Sequence, residues 1–159
     1  MENIKELKDS KIIAEILNKA FITVAEQYGF TRENAPIFPA FINPDRVEAN
    51  LSRGLKMYGY EIDGKTAGCA GYSFYKDEIY IIERLAVLPE YRHMGIGKKL
   101  MEFIENEIRK NNGKTAEVHV VDKNIVLREW YKKLGYREIR IDKIKTMPFN
   151  SCVMIKEPA

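Results

Sequence analysis

Residues 85–100 read LAVLPEYRHMGIGKKL, an apolar run that stops at a proline and resumes with helical spacing after two glycines. A strand that turns into a helix leaves backbone N–H groups without partners, and the helix dipole adds partial positive charge there. Gly95 and Gly97 carry no Cβ atom that would keep an anion away, while Arg92 and Lys98 add positive charge. The stretch predicts an anion-binding loop, with a tight turn that binds nothing as the alternative.

Two common phosphate-binding motifs do not fit this loop. A dinucleotide fingerprint requires a third glycine three residues after the second, where Leu100 stands. A Walker A loop requires Ser or Thr where Lys99 stands and glycine where Arg92 stands. The loop therefore shares the physics of these motifs without belonging to either class.

The composition is typical of one folded domain, with 159 residues, of which 45% are hydrophobic and 31% charged. A net charge of +3 is too small to indicate a nucleic-acid-binding protein. The polar opening MENIKELKDS and the absence of a long apolar run predict no secretory signal, no membrane span and a cytoplasmic location. Cys69 and Cys152 lie too far apart to form a metal-ligand motif, so no metal is expected.

The hydrophobic periodicity predicts a single α+β domain over residues 1–159. One helix follows Asp9 or Ser10 as N-cap and ends before Gly29, and a second begins at Pro44 with Asn43 as cap. Two further helical patterns follow the glycine loop and the strand-like run AEVHVV. Strand patterns flank a hairpin signal at Asp63-Gly64, fill IYIIERLAVLP, and form a final pair around Pro148.

The order of motifs resembles that of the GNAT superfamily of N-acetyltransferases. The pattern R-x-x-G-x-G after LAVLPEY resembles its acyl-CoA loop, and NIVLREWYKKLGY, which begins at Asn124, resembles its next motif. The tail MPFNSCVMIKE is similar to the closing strands of many bacterial members. The resemblance implies a central mixed, mostly antiparallel sheet of about six to seven strands flanked by about four helices.

The resemblance also implies how acetyl-CoA is held. The strand before the loop separates from its neighbour, and the free backbone groups of Leu85, Ala86 and Val87 pair with the pantetheine arm. Asn124 matches a residue that hydrogen-bonds this arm, and it can cap a helix at the same time because its amide NH₂ stays free. The implied pyrophosphate site comprises Arg92, His93, Met94, Gly95, Ile96, Gly97 and Lys98.

Tyr131 matches the family's usual general acid. A phenol with a pKa of about 10 is protonated at neutral pH and can supply the proton that the leaving thiolate needs. A buried aromatic side chain with no part in the reaction is the alternative for Tyr131.

Glu83 is the candidate base for the attacking amine, and strand alternation predicts that it faces the same side as Leu85 while Arg84 faces the other. Some family members place their base where Ile81 stands, so another group or water is the alternative. His93 and His119 are the other possible proton carriers, but His93 is expected to act through its backbone in the loop and His119 to be a packed or surface side chain.

These matches imply direct transfer of an acetyl group from acetyl-CoA to a primary amine of a small molecule through a ternary complex. The superfamily also acetylates protein N-termini and lysines, and a non-catalytic CoA-binding module is a further alternative. No nucleic-acid or membrane partner is expected, and a homodimer is an assembly that the resemblance leaves open.

Overall fold

The chain forms seven strands and four α-helices in the computed structural model, which describes residues 3–158. Met1, Glu2 and Ala159 of the predicted domain lie outside the described residues. The elements are β1 (Ile4–Leu7), α1 (Ser10–Tyr28), α2 (Pro44–Ser52), β2 (Lys56–Ile62), β3 (Lys65–Lys76), β4 (Ile79–Val87), α3 (Ile96–Lys110), β5 (Thr115–Val121), α4 (Ile125–Lys133), β6 (Arg137–Asp142) and β7 (Ser151–Lys156).

All seven strands belong to one sheet with the order β1-β2-β3-β4-β5-β7-β6. Every neighbouring pair is antiparallel except β4 and β5, which run parallel. The α3 crossover joins these two strands, as a parallel connection requires. The predicted mixed, mostly antiparallel sheet with four helices is confirmed.

Each face of the sheet carries its own apolar core. On one face, Leu100, Ile104 and Ile108 of α3 pack with Tyr131 of α4 and with the strand residue Val118. On the other face, side chains from α1 and α2 pack against residues of β2, β3 and β4, among them Ile13, Leu17, Val47, Met57 and Cys69. The two faces are called the α3/α4 face and the α1/α2 face below.

The predicted caps of the first two helices are confirmed by the structure. The Asp9 carboxylate accepts hydrogen bonds from the first backbone amides of α1, and Gly29 ends that helix with a left-handed φ of 72°. Asn43 caps α2 by accepting from the Arg46 amide. None of the helices within residues 3–158 has the length and hydropathy needed to cross a bilayer.

The sequence did not predict β1, a four-residue edge strand of sequence IKEL. Its Lys5 and Glu6 are exposed, so the segment shows too little alternation to stand out from a polar terminus. Pairing with β2, from Ile4 opposite Tyr60 to Leu7 opposite Met57, is what makes it a strand.

Candidate active site

The sheet opens where β4 and β5 stop pairing. Their parallel register runs from Ile79 opposite Thr115 to Ile81 opposite Glu117 and ends there, although both strands continue. Beyond this point β5 pairs only with β7, and β4 pairs only with β3. Along Leu85, Ala86 and Val87 the β5-facing side of β4 therefore has no strand partner within the described chain. Its backbone groups, apart from the Val87 carbonyl that accepts from Arg92, can accept from or donate to an extended ligand.

The glycine loop presents a row of free amides. From His93 to Lys98 no backbone N–H donates to an acceptor in the described part of the chain. His93 and Gly95 adopt left-handed φ values of 66° and 80°, and α3 begins directly afterwards at Ile96. Successive amides in such a turn, combined with a helix N-terminus, form a concave anion site. The predicted anion-binding residues are thus together in space.

The Arg92 side chain does not point into this loop. Its guanidinium donates to the Val87 carbonyl at 3.1 Å, to Thr23 Oγ1 at 3.2 Å and to the Ala20 carbonyl at 2.8 Å. These contacts fasten the start of the loop to α1. Arg92 thus holds the loop in place, and the charge in the first helical turn comes from Lys98 and Lys99.

Glycine is needed at positions 95 and 97 for two different structural reasons. Neither reason is only to leave room for an anion. Gly95 requires its left-handed φ, while a Cβ there would meet no atom within 4 Å. A Cβ on Gly97 would lie 3.3 Å from Cζ2 of Trp130. The indole of Trp130 in turn packs edge-on against Tyr131, with ring centroids 5.1 Å apart. The loop and the candidate acid are therefore in contact through one aromatic side chain.

Tyr131 is 6% exposed, yet its hydroxyl has no hydrogen-bond partner within residues 3–158. Burial raises the pKa of the Tyr131 phenol above its usual value, so the proton is retained at neutral pH. Asn124 begins the same helix and accepts from the Leu127 amide through Oδ1 at 3.2 Å, and its amide NH₂ is not engaged in the described chain. Both predicted residues of α4 thus keep a free polar group.

The neighbouring Tyr136, unlike Tyr131, has a hydroxyl that is hydrogen-bonded within the protein. Its hydroxyl donates to Oε2 of buried Glu105 at 2.6 Å, and Lys156 pairs with the other carboxylate oxygen at 3.0 Å. Its ring packs against Tyr131 with centroids 5.6 Å apart. Tyr136 is therefore a structural group, in contrast to Tyr131.

The orientation predicted for Glu83, Arg84 and Leu85 is wrong because β4 contains a bulge. Gly71 pairs with Glu83 and Cys69 pairs with Ala86, so two residues of β4 lie opposite one of β3. Arg84 takes a φ of 61°, and strand alternation is interrupted there.

Glu83 and Arg84 both lie on the α1/α2 face as a result of the bulge. Glu83 is paired with Gly71, where a Cβ would meet Met57 of that face. Arg84 reaches Asn50 of α2. Leu85 packs on the α3/α4 face, so Glu83 and Leu85 point to opposite sides of the sheet.

The Glu83 carboxylate accepts a hydrogen bond from Ser73 Oγ at 3.2 Å and stays partly exposed. It lies two residues beyond Ile81, where β4 has already left β5. A carboxylate at an open strand edge can bind an ammonium group and take its proton.

The structure pairs His119, one of the possible proton carriers, with Glu117, which the sequence analysis did not consider. His119 Nε2 lies 2.6 Å from Oε2 of Glu117, whose side chain is 5% exposed, while that of His119 is 43% exposed. Both lie on the strand face opposite Val118, which is the side of Glu83. The signal was present in the i, i+2 spacing of EVH, which places both groups on one strand face.

The cysteines have no features of a nucleophile. Burial raises the pKa of the Cys69 thiol to about 12 and raises that of Cys152 above its usual value. Within the described chain no three His, Cys, Asp or Glu side chains are grouped as a metal site requires.

Residues 12–136 match the model of the Acetyltransferase (GNAT) family. An uncharacterized N-acetyltransferase from Chlorobaculum tepidum is 32% identical over 89 residues, which cover 56% of this chain and 54% of that protein. A probable N-acetyltransferase, camello, from Xenopus tropicalis is 21% identical over 79% of this chain and 60% of its own length. The chain thus spans little more than half the length of these curated relatives.

Solved structures share the fold across the chain. The ribosomal-protein-S18-alanine N-acetyltransferase of Escherichia coli superimposes with a TM-score of 0.77 at 19% identity, covering 100% of this chain and 95% of that one. The PaiA N-acetyltransferase of Thermoplasma acidophilum, solved in complex with coenzyme A, gives 0.71 at 20% identity with 97% of each chain covered. With the family model matching most of the sequence, the chain belongs to the GNAT family of acetyltransferases.

Proposed function

We propose that this protein transfers an acetyl group directly from acetyl-CoA to the primary amine of a small molecule. The observation that carries the proposal is the row of unpaired amides from His93 to Lys98 beside the opening between β4 and β5. An anion site next to a free strand edge suits a ligand with a pyrophosphate at one end and an extended amide-bearing arm at the other.

In this proposal the loop amides hold the pyrophosphate, and Lys98 in the first turn of α3 supplies positive charge. Leu85, Ala86 and Val87 bind the pantetheine amides through backbone groups on the side of β4 that has no strand partner, the Val87 carbonyl being held by Arg92, and the Asn124 NH₂ donates to the same arm. Each charge-assisted hydrogen bond contributes about 1.5–3 kcal/mol, so a few of them are enough for micromolar binding.

Tyr131 is the proposed general acid. The amine nitrogen attacks the acetyl carbonyl carbon, the C–S bond breaks, and the sulfur receives the phenolic proton. Because the Tyr131 hydroxyl donates to no residue in the described chain, its proton is available to a ligand. The resulting phenolate is restored by a proton from solvent.

Glu83 is the proposed acceptor of the proton that the amine loses. A primary ammonium with a pKa near 10.4 must be deprotonated before it attacks, which costs about 4–5 kcal/mol at neutral pH. His119, half-exposed and held by Glu117, is the second candidate on the same face. Neither cysteine takes part, since both thiols are buried and their pKa values are raised.

The test combines binding with turnover. Calorimetric titration with acetyl-CoA measures whether the loop binds it, and release of free CoA thiol across a panel of primary amines measures transfer. Binding without thiol release for any amine, peptide N-terminus or lysine peptide would favour the non-catalytic module. Turnover with peptides alone would replace the small-molecule acceptor by a protein one. Assembly as a homodimer remains a prediction.

A further inference from the structure

Arg84 is a half-buried cation next to Glu83. Its Nη2 donates to Asn50 Oδ1 at 3.3 Å, and within residues 3–158 it makes no ion pair. The Asn50 oxygen is neutral and satisfies one of the five N–H groups of a guanidinium. The Glu83 carboxylate attracts Arg84 without forming an ion pair with it, so a bound anion would find unused N–H groups on a partly buried guanidinium.

The bulge in β4 determines the face of the sheet on which the Arg84 side chain lies. Arg84 adopts a φ of 61° in the bulge of β4, a conformation that a residue other than glycine rarely takes. A regular strand would have sent its side chain to the α3/α4 face. The bulge brings it instead to the α1/α2 face, beside Glu83. Unusual backbone of this kind persists where the surrounding structure fixes it, often at binding sites.

A second cation, Arg46, adds positive charge near Arg84. Arg46 stands one helical turn before Asn50 on α2, so both project from one side of that helix. Burial lowers the pKa of the Arg84 guanidinium below its usual value, the neighbouring Glu83 carboxylate acts in the opposite direction, and the positive charge of Arg46 adds to the lowering. Two arginines beside one carboxylate leave a net positive charge at this place, which favours a bound anion.

We infer that Arg84 binds the carboxylate of the acceptor while Glu83 receives its amino group, so that the acceptor is a small amino acid. The inference rests on the proposed transfer reaction and narrows its substrate. Because Glu83 and Arg84 are consecutive, their Cα atoms are about 3.8 Å apart, and the two charges they bind belong to one small molecule. A planar guanidinium matches a carboxylate with two parallel hydrogen bonds. A polyamine has no group for this cation.

The experiment compares matched acceptors with the full chain. Glycine, alanine, β-alanine and γ-aminobutyrate are each assayed beside the amide of the same compound, with acetyl-CoA saturating. We expect kcat/KM for at least one acid to exceed that of its amide by about 10- to 100-fold, the scale of a charge-assisted pair. Arg84→Met should remove this preference by raising KM for the acid, with kcat and the affinity for acetyl-CoA unchanged.

Two further variants separate this role from a structural one. Arg53→Gln removes an exposed cation beyond the end of the same helix and should leave the preference intact. Arg46→Gln, also on the surface, should raise KM for the acid by a smaller factor than Arg84→Met. It keeps the test decisive if Arg84→Met does not fold.

The outcomes distinguish this inference from the transfer reaction itself. Failure to bind acetyl-CoA would overturn the proposed function. Three outcomes with normal acetyl-CoA binding would overturn the inference alone. They are equal kcat/KM for amides and acids, no turnover of any acid, and a preference for O-phosphoethanolamine over every carboxylate. Equal losses for acid and amide in Arg84→Met would also overturn it.

Discussion

Ile81 and Glu117 form the last register pair between β4 and β5, and beyond them the two strands separate. On each strand the next residue on the same face carries an ionisable group, which is Glu83 on β4 and His119 on β5. The separation thus opens the sheet beside two candidate bases. The free amides of the glycine loop lie at the far end of β4.

Replacing Tyr131 by Phe tests the proposed acid. The ring and its packing against Trp130 and Tyr136 are kept, and no hydrogen-bond partner is left unsatisfied. We expect the affinity for acetyl-CoA to remain within about twofold and kcat to fall by ~10²-fold or more, the usual scale for losing a general acid. Stopped-flow and steady-state measurement of CoA thiol release would give both quantities.

Tyr136→Phe is the matched control for this variant. It removes the hydroxyl that donates to Glu105, so it should lower the free energy of unfolding by about 1–3 kcal/mol while chemistry stays near wild type. A Tyr131→Phe enzyme with kcat within about threefold of wild type, with chemistry rate-limiting, would exclude Tyr131 from the reaction.

The two candidate bases are separated by Glu83→Gln and His119→Gln. We expect Glu83→Gln to lower kcat/KM by about 10²–10⁴-fold, since a positioned base contributes on this scale. His119→Gln should stay within about threefold. The reverse pattern would assign the proton transfer to His119 with Glu117 as its partner.

The helices and their caps could be predicted from sequence because they depend on local signals. Asp9, Gly29 and Asn43 stand where capping requires them, and the structure confirms each. The Asp63-Gly64 turn likewise joins β2 to β3, with both residues at positive φ. Helix caps and tight turns depend on residues that lie within a few positions of one another in the sequence.

The side-chain directions around Glu83 could not be predicted in the same way. The bulge at Arg84 follows from how β4 pairs with β3, and no residue in the sequence IIERLAV marks it, since glycine is absent there. The contacts of Arg92 with Thr23 and Ala20 likewise join segments far apart in sequence. Motif spacing predicts which residues meet at the loop, but not which way each side chain turns.

Gly97→Glu tests the anion site through the single tryptophan. Because a Cβ at this position approaches Trp130 to 3.3 Å, the indole lies at the loop and should report acetyl-CoA binding by a change in fluorescence. We expect a saturable change in wild type and none in Gly97→Glu, whose added carboxylate fills the site and repels phosphate. Ser52→Glu adds the same charge at the end of α2 and should bind normally. A folded Gly97→Glu protein with unchanged acetyl-CoA affinity would refute the loop assignment.

Glu138 should make stability depend on pH at the acid end. Its carboxylate accepts from Arg128 Nη2 at 2.7 Å and lies 3.2 Å from Lys132, and the Arg128 hydrogen bond lowers the pKa of Glu138 to about 2. The unfolded value is about 4.3, so in this interval the unfolded chain binds more protons than the folded one. The stabilisation is therefore complete above about pH 4.5 and is lost as the pH falls through 2.

Glu138→Gln should remove this contribution. We expect its melting temperature at pH 7 to be about 2–4 °C below wild type, the shift that corresponds to about 1 kcal/mol in a chain of this length. The difference should shrink as the pH is lowered from 4.5 to 2, because wild type then loses the same charge. Glu129→Gln, which removes only an exposed partner of Lys132, should shift the melting temperature by less than half as much. Scanning calorimetry across this pH range measures the melting temperature of each variant. A difference between the melting temperatures of wild type and Glu138→Gln that stays constant with pH would show that the pair with Arg128 does not stabilise the protein through the charge of Glu138.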